Sequence, residues 1–285
     1  MATELNTDTK KFDELGYVVI KNFFNKDEAK NSALWLRDKD LKSMVKSWTD
    51  QEPMVDLAVW QNVHHGDDPI AKLVGDPKIL DVAENLIKNK VYIWSSKVNL
   101  KAAWCGTVEY HHQDFVYWRQ RGYQEINMLT CVVFLDDHSV NNGGLNIFPG
   151  SHNEGFIEHE PFVNINGLQK FMIPPSSLDE LNKKYPVTVV EAEPGDVLFF
   201  HSALIHGSAH NISPNPRMIA LAQLNTVGNL PDNVQENTKK YNLWRTEYAA
   251  VEARKRLAYY EEKYLEQSST KEILYNSPIQ KKEKE

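Results

Sequence analysis

A polar segment at residues 110–115 carries two side chains of types that commonly bind metal ions. His112 and Asp114 are two residues apart in it. We expect the segment to be a strand, on which residues two apart point to the same side. A nitrogen and an oxygen would then face one metal ion. A second histidine from a distant strand would complete a three-ligand face and leave coordination positions open, as in non-haem iron oxygenases. The spacing alone is weak evidence, because His65 and Asp67 repeat it in a polar loop.

A second segment, residues 194–208, supplies the missing histidine. A Pro-Gly-Asp turn leads into an apolar strand, and His206 follows it. Arg217 comes eleven residues after His206, at the start of another apolar strand. A guanidinium group there can pair in a fork with the carboxylate of a dicarboxylate co-substrate. The combined pattern predicts His112, Asp114 and His206 as metal ligands.

The chain before residue 91 has the signals of helices. Asn25 followed by Glu28 is typical of a helix start with a capping side chain, and Asp76 followed by proline predicts a second start. A short strand is expected at residues 16–20, and the polar first ten residues are expected to be mobile.

From residue 91 onward the chain has the composition of a β-structure. Turn residues separate several short runs of strand-favouring residues, at 91–94, 129–135, 187–190, 197–200 and 218–224. Many short strands with such turns favour a sandwich, a barrel or a jelly roll.

We therefore predict a single, mainly β domain with flanking helices over residues 1–285. Its parts are a helical N-terminal portion (residues 12–90) and a β core (91–225) that contains a lid-like insertion (153–186). A C-terminal helix (241–268) and a charged tail (269–285) follow.

Composition narrows the classes of partner. The formal net charge is −7 and no block of basic residues stands out, which argues against nucleic-acid binding. No stretch is apolar and long enough to span a bilayer. Two cysteines and no charged-then-apolar leader predict a reducing, cytoplasmic setting. The sequence does not indicate an oligomeric state.

Three motifs together resemble those of the phytanoyl-CoA dioxygenase family, which includes the ectoine hydroxylases. They lie at residues 112–118, 144–152 and 206–217, and the resemblance covers about residues 12 to 225. It implies a double-stranded β-helix (a jelly roll) and an enzyme that uses Fe(II), 2-oxoglutarate and O2. Arg217 would bind the distal carboxylate of 2-oxoglutarate, with Ser208 and Asn99 as further contacts.

The resemblance also implies the reaction, which is hydroxylation of an unactivated C–H bond with release of succinate and CO2. Trp118 matches a tryptophan that packs on the substrate in ectoine hydroxylases, and Tyr110, two residues before His112, is a second candidate for the substrate site. Ser95 and Leu221 stand where those enzymes carry glutamine and phenylalanine, so we expect a small polar, amine- or amino-acid-like metabolite rather than ectoine.

Alternatives to hydroxylation stay open from the sequence. Desaturation and ring closure use the same cofactors. A jelly-roll binding protein without catalysis is disfavoured, because the three ligands and Arg217 occur together. A zinc hydrolase could use the same ligands, but it would leave Arg217 without a role.

Overall fold

The computed structural model of the protein describes residues 2–37, 57–61, 63–65, 67–104, 106, 108–164, 169–229 and 231. The C-terminal helix predicted at residues 241–268 and the tail at 269–285 lie outside these residues. None of the helices in the described ranges has the length and apolar character that a membrane crossing requires.

Most of the helices come before the main strands, as expected. In chain order, the α-helices of the described ranges are α1 (Ala2–Leu15), α2 (Lys26–Arg37), α3 (Pro69–Val74), α4 (Pro77–Ile87), α5 (Phe115–Arg119) and α6 (Pro175–Lys184). The predicted caps are confirmed. The side chain of Asn25 accepts a bond of 2.8 Å from the backbone N–H of Asp27, and Asp76 accepts one of 2.8 Å from Lys78.

The segment that the sequence predicts to be mobile forms part of helix α1, which begins at Ala2, and its mobility stays a prediction. Phe12 of this helix is buried in the core. Asp13 forms an ion pair of 2.9 Å with Lys88, at the end of α4. One apolar anchor and one ion pair thus tie the polar start of the chain to the body of the protein.

The strands form two main antiparallel sheets and a hairpin. In chain order they are β1 (Tyr17–Ile20), β2 (Leu57–Gln61), β3 (Val91–Lys101), β4 (Glu109–His112), β5 (Leu129–Phe134), β6 (Leu145–Ile147), β7 (Glu160–Val163), β8 (Gln169–Met172), β9 (Thr188–Val189), β10 (Val197–His201), β11 (His206–Ser208) and β12 (Arg217–Thr226). The large sheet has the order β1-β10-β5-β12-β3-β2, and the small sheet has the order β4-β11-β6-β9. The hairpin β7-β8 and helix α6 lie in the insertion predicted at residues 153–186.

Apolar residues of the two sheets pack between them. Val132, Leu198 and Ile219 of the large sheet form one cluster with Ile147 of the small sheet. A second apolar cluster lies between the outer face of the large sheet and the helices of the N-terminal portion. Two sheets closed over a shared interior make the jelly roll, or double-stranded β-helix, that the sequence predicts. The residue boundary at 91 between the portions stays a prediction.

Candidate metal centre and the pocket around it

Three side chains far apart in sequence meet inside the jelly roll. His112 ends β4 and His206 begins β11, and the two residues are directly paired across the small sheet. The Nε2 atoms of His112 and His206 lie 3.8 and 3.7 Å from Oδ1 of Asp114. The donor atoms of the three residues all lie within 4.8 Å of one another, and all three residues are buried. Within the described ranges this is the one His, Cys, Asp or Glu cluster that could hold a metal ion.

The second His-x-Asp pair lies outside the strands of the two sheets. His65 ends a short 3-10 helix, Val63–His65. The side chain of Asp67 is fully exposed and lies 3.7 Å from the ammonium group of Lys72.

The expectation that Asp114 lies on the same strand as His112 is wrong. The strand ends at His112, and Asp114 has helical dihedral angles, φ −55° and ψ −31°. Its carbonyl oxygen accepts a hydrogen bond of 3.1 Å from the backbone N–H of Tyr117. This bond is part of the first turn of α5. The carboxylate therefore reaches the histidines because the chain turns into a helix, and not by the alternation of strand side chains.

Backbone carbonyls fix both imidazole rings. Nδ1 of His112 lies 2.8 Å from the carbonyl oxygen of Tyr110, and Nδ1 of His206 lies 3.0 Å from that of Leu204. A carbonyl oxygen can only accept, so each Nδ1 donates and each Nε2 keeps its lone pair for a metal ion. The side chain of Tyr110 is 52% exposed and packs edge-on against Phe162 at 5.2 Å, so it lies at the rim.

Asp114 has a further partner that the sequence did not indicate. Its Oδ2 accepts a hydrogen bond of 2.6 Å from Oγ1 of Thr130, which is wholly buried on β5. Burial acts to raise the pKa of Asp114, but the adjacent His112 and His206 outweigh it and hold that pKa below its usual value. Burial, together with His112, lowers the pKa of His206 to about 4. At neutral pH the cluster offers a carboxylate and a neutral imidazole, the forms that bind metals.

Two buried cations lie side by side across β12 and β3. Arg217 and Lys101 are directly paired in the strand register. Nη2 of Arg217 donates to the carbonyl oxygen of Gly143 at 2.9 Å, while its Nε has no partner among the described residues. Nζ of Lys101 donates to Oγ of Ser208 at 2.8 Å and to the carbonyl oxygen of Ala209. The sequence did not single out Lys101, because a lysine at a strand end is usually solvated.

This pair has no counter-charge in direct contact. Among the described residues, no carboxylate lies within ion-pair distance of Arg217 or Lys101. The nearby Asp136 is bonded to Arg37 and to the backbone N–H of Met218. Burial lowers the pKa of Arg217 to about 10, and burial followed by the charge of Arg217 lowers that of Lys101 to about 7. Buried charges are costly unless paired, so this end of the interior suits an anion.

The metal cluster and the cation pair lie on one side of β11. His206 and Ser208 are paired with Ile147 and Leu145, both of which pack in the interior cluster. Two residues along a strand span about 6–7 Å. Asn99, two residues before Lys101 on β3, adds a buried Oδ1 without a partner among the described residues. The interior therefore has metal ligands at one position and hydrogen-bond donors for an anion at another. The distance between the two positions is similar to the distance between the two carboxylates of a short diacid.

Trp118, which the sequence predicts as a substrate contact, lies in the core of this structure, and its role towards the substrate stays to be tested. Its side chain has 0% exposure and lies in an aromatic cluster with Trp94 and Tyr123. The preceding residue, Tyr117, is the one that packs edge-on against the ring of His112, with centroids 5.7 Å apart. A helical turn places residues three apart on one side, so Tyr117 would have followed from Asp114 had the turn into α5 been recognised.

The metal motif also anchors the insertion. Nε2 of Gln113 donates to the carbonyl oxygens of Gly155 and Ala203, both at 2.7 Å, and Oε1 accepts from the N–H of Ile157 at 2.8 Å. The backbone N–H of Gln113 donates to Nε2 of His159 at 3.0 Å. Gln113 is wholly buried. The start of the insertion is therefore held directly against the residues that flank the metal cluster.

Comparison with known proteins points to one family. The family model described as phytanoyl-CoA dioxygenase (PhyH) matches residues 12–219. The ectoine dioxygenase of Sphingopyxis alaskensis is 29% identical over 229 residues, which are 76% of this chain and 74% of that protein. The L-proline trans-4-hydroxylase of Streptomyces griseoviridis is 30% identical over 179 residues, which are 59% of this chain and 67% of that protein.

Solved structures with the same fold include EctD from S. alaskensis. The form with bound Fe has a TM-score of 0.65 and 28% identity, over 80% of this chain and 79% of that one. The form with 2-oxoglutarate and 5-hydroxyectoine has a TM-score of 0.64 and 28% identity, over 79% and 77%. The carbocyclase SnoK from nogalamycin biosynthesis, with a TM-score of 0.61 and 20% identity over 82% and 89%, shares the fold.

Proposed function

The chain belongs to the phytanoyl-CoA dioxygenase family, and from that premise we propose that it is an Fe(II)- and 2-oxoglutarate-dependent dioxygenase that hydroxylates a small amine- or amino-acid-like metabolite. Relatives named for ectoine and for L-proline support a substrate of this size and polarity. A carbocyclase has the same fold, so the fold alone does not determine whether the reaction is a hydroxylation or a ring closure.

The donor set fits Fe(II). His112, His206 and Asp114 would hold the metal through two imidazole nitrogens and one carboxylate oxygen, a combination typical of non-haem iron oxygenases. The rings are already turned with Nε2 towards Asp114, and Thr130 occupies the other oxygen of that carboxylate. When bound, the iron, 2-oxoglutarate and O2 together supply the oxidising chemistry, which yields succinate, CO2 and an alcohol.

We assign 2-oxoglutarate to the interior between the metal cluster and the cation pair. Arg217 and Lys101 would bind its distal carboxylate, Ser208 would contribute through its bond with Lys101, and Asn99 would contact the chain of the co-substrate. The observation that carries the proposal is the uncompensated pair of buried cations. The pair lies about two strand residues, or roughly 6–7 Å, from His206. The four carbon–carbon bonds of 2-oxoglutarate, each about 1.5 Å long, span a similar length.

The remaining residues around the cluster exclude water and position groups. Gln113 holds residues 155–159 against the metal motif. Tyr117 covers one side of His112, and burial raises the pKa of its hydroxyl, so it stays protonated. Tyr110 orients His112 through its carbonyl group, and its ring stays at the rim as a candidate for outer contacts with the substrate.

The proposal is tested by loading the full-length protein with Fe(II) and 2-oxoglutarate under anaerobic conditions and then admitting O2. We expect succinate to form only when iron, 2-oxoglutarate and O2 are all present. A screen of amino acids, betaines and cyclic amines should identify compounds that gain one oxygen atom. The Asp114→Ala protein is the matched control, because it keeps the cation pair but lacks the carboxylate ligand. Activity that is independent of O2, or supported by zinc alone, would contradict the proposal.

A further inference from the structure

A second lysine, Lys97, lies on the inner face of β3. Residues two apart on a strand face the same side, so Lys97 and Asn99 share a side with Lys101. The bond between Lys101 and Ser208 of the small sheet shows that this side is the interior. Lys97 is partly buried there, where the function proposed above leaves it without a role.

The ammonium group of Lys97 has no fixed partner among the residues that the structure describes. Within the described part of the chain, no hydrogen bond or ion pair reaches it. The charged groups that influence it are Asp114, Lys170, Glu109 and Arg121. Both of these carboxylates have other partners. Glu109 is bonded to Lys170 at 3.0 Å, and Asp114 faces Thr130 and the histidines of the metal cluster.

The environment of Lys97 favours an anion from outside the chain. Burial lowers its pKa, and the charges of Lys170 and Arg121 act in the same direction. A buried ammonium group that lacks a partner is costly, and a bound carboxylate would remove that cost. Asp114 would be engaged by the metal and Glu109 by Lys170, so neither residue can serve as that partner.

We propose that Lys97 binds a carboxylate group of the substrate and so selects anionic or zwitterionic metabolites for the metal site. This inference rests on the proposed function. The distal carboxylate of 2-oxoglutarate is assigned above to Arg217 and Lys101, and the spacing along the strand favours a different ligand for Lys97. Lys101 is four residues along the same strand from Lys97, about 13 Å. The four carbon–carbon bonds of 2-oxoglutarate span at most about 6 Å.

The electrostatic neighbours agree with this separation. Asp114 is the charged group with the largest influence on Lys97. Arg217 is among the charged groups that influence Lys101. The interior therefore holds two distinct positive positions. One lies at the far end of the co-substrate pocket, and the other lies beside the carboxylate of the metal cluster, where the target C–H bond must come.

The experiment compares paired probes that differ only in the carboxylate. L-proline, L-pipecolate and the common amino acids are each tested beside their carboxamides for their ability to raise 2-oxoglutarate consumption by the iron-loaded enzyme. We expect at least one carboxylate to be more effective than its amide by about tenfold or more. Lys97→Met should raise the KM for that carboxylate by a similar factor, while Lys97→Arg should retain most of the wild-type affinity. Lys72→Met, which removes an exposed lysine, is the control for net charge.

A second measurement separates the substrate from the co-substrate. Anaerobic titration of 2-oxoglutarate into the Fe(II) protein should give dissociation constants that agree within about twofold between wild type and Lys97→Met. If Lys97→Met instead weakens 2-oxoglutarate, the lysine holds the co-substrate and the inference is overturned. Equal responses to carboxylates and amides in the wild-type enzyme overturn it too, and this comparison does not depend on any variant folding.

The inference can fail independently of the proposed function. If no carboxylate of the panel raises consumption while iron-dependent succinate formation remains, the role of Lys97 is refuted and the dioxygenase assignment stands. If no preparation forms succinate from 2-oxoglutarate in the presence of iron and O2, the proposed function itself has failed, and the inference that rests on it fails with it.

Discussion

The bond between Thr130 and Asp114 is the structural feature most open to a single-atom test. Thr130→Val removes one hydroxyl group and keeps the shape of the side chain. The residue is wholly buried on β5, and its Oγ1 lies 2.6 Å from Oδ2 of the carboxylate. The change therefore isolates the part that the hydroxyl has in holding the carboxylate for the metal.

The structure sets the expected size of two effects. A buried acceptor that loses its only donor costs about 1–3 kcal/mol of stability, and each kcal/mol lowers the Tm by roughly 2–4 °C at this chain length. The metal-free Thr130→Val protein should therefore melt several degrees below the wild type. Loss of a group that orients a metal ligand typically lowers metal affinity by about 10- to 100-fold. We expect Fe(II) binding to weaken by that factor.

The assay is an anaerobic competition titration of Fe(II) against a chelator, together with melting curves with and without metal. Thr130→Ser is the matched control, because it keeps the hydroxyl group and should bind Fe(II) within about threefold of the wild type. The reasoning is refuted if Thr130→Val binds Fe(II) as tightly as the wild type. It is refuted equally if Thr130→Ser is as damaging as Thr130→Val, because the effect would then come from packing.

Four further variants test other parts of the site, and a fifth, His65→Ala, is a control outside it. His206→Ala should abolish Fe(II) binding in the same titration because only two of the three metal ligands remain. His65→Ala should bind Fe(II) normally. The reverse result would show that the metal site was assigned to the wrong His-x-Asp motif. Arg217→Ala should weaken 2-oxoglutarate by roughly thirtyfold or more, from the 2–5 kcal/mol lost when one member of a buried charge pair is removed. Its Fe(II) affinity should be unchanged, and normal 2-oxoglutarate affinity would contradict the assignment. Trp118→Ala should destabilise the protein by about 3–5 kcal/mol through the cavity it leaves, while the ratio of product to succinate in the folded fraction stays at the wild-type value. Gln113→Ala should leave the insertion untied and increase its hydrogen–deuterium exchange at residues 155–159, and unchanged exchange there would argue against the anchoring role.

Local rules predicted much of this structure from the sequence. Helix α4 could be predicted because Asp76 caps its start and apolar residues then recur with the 3.6-residue period of a helix. The strand predicted at residues 197–200 is found as β10, which spans Val197–His201. These are short-range features, and each depends on residues within about one turn or one strand of chain.

The errors occurred where the chain departs from a regular element. Asp114 was expected on a strand, but the backbone turns into α5 at that residue. The same turn moves Trp118 into the core and brings Tyr117 to the ring of His112. The alternation rule for strands gives the wrong side chain once one residue adopts helical dihedral angles, and nothing in residues 110–118 marks that point clearly.

The sequence predicts Arg217 as an anion-binding residue, but it does not indicate that the lysines of β3 lie in the same interior. Residues 91–101 contain two lysines, and lysine on a strand usually faces solvent. Only the pairing of β3 with β12, and the contact of Lys101 with Ser208 on the opposite sheet, places those side chains inside. Once they are inside, their charges need partners, and among the described residues no carboxylate forms an ion pair with Lys101 or Lys97. A protein interior that holds cations in excess of its own anions is stabilised by an anionic ligand. The missing counter-charges are therefore the physical basis for assigning one carboxylate of the co-substrate and one of the substrate to this strand.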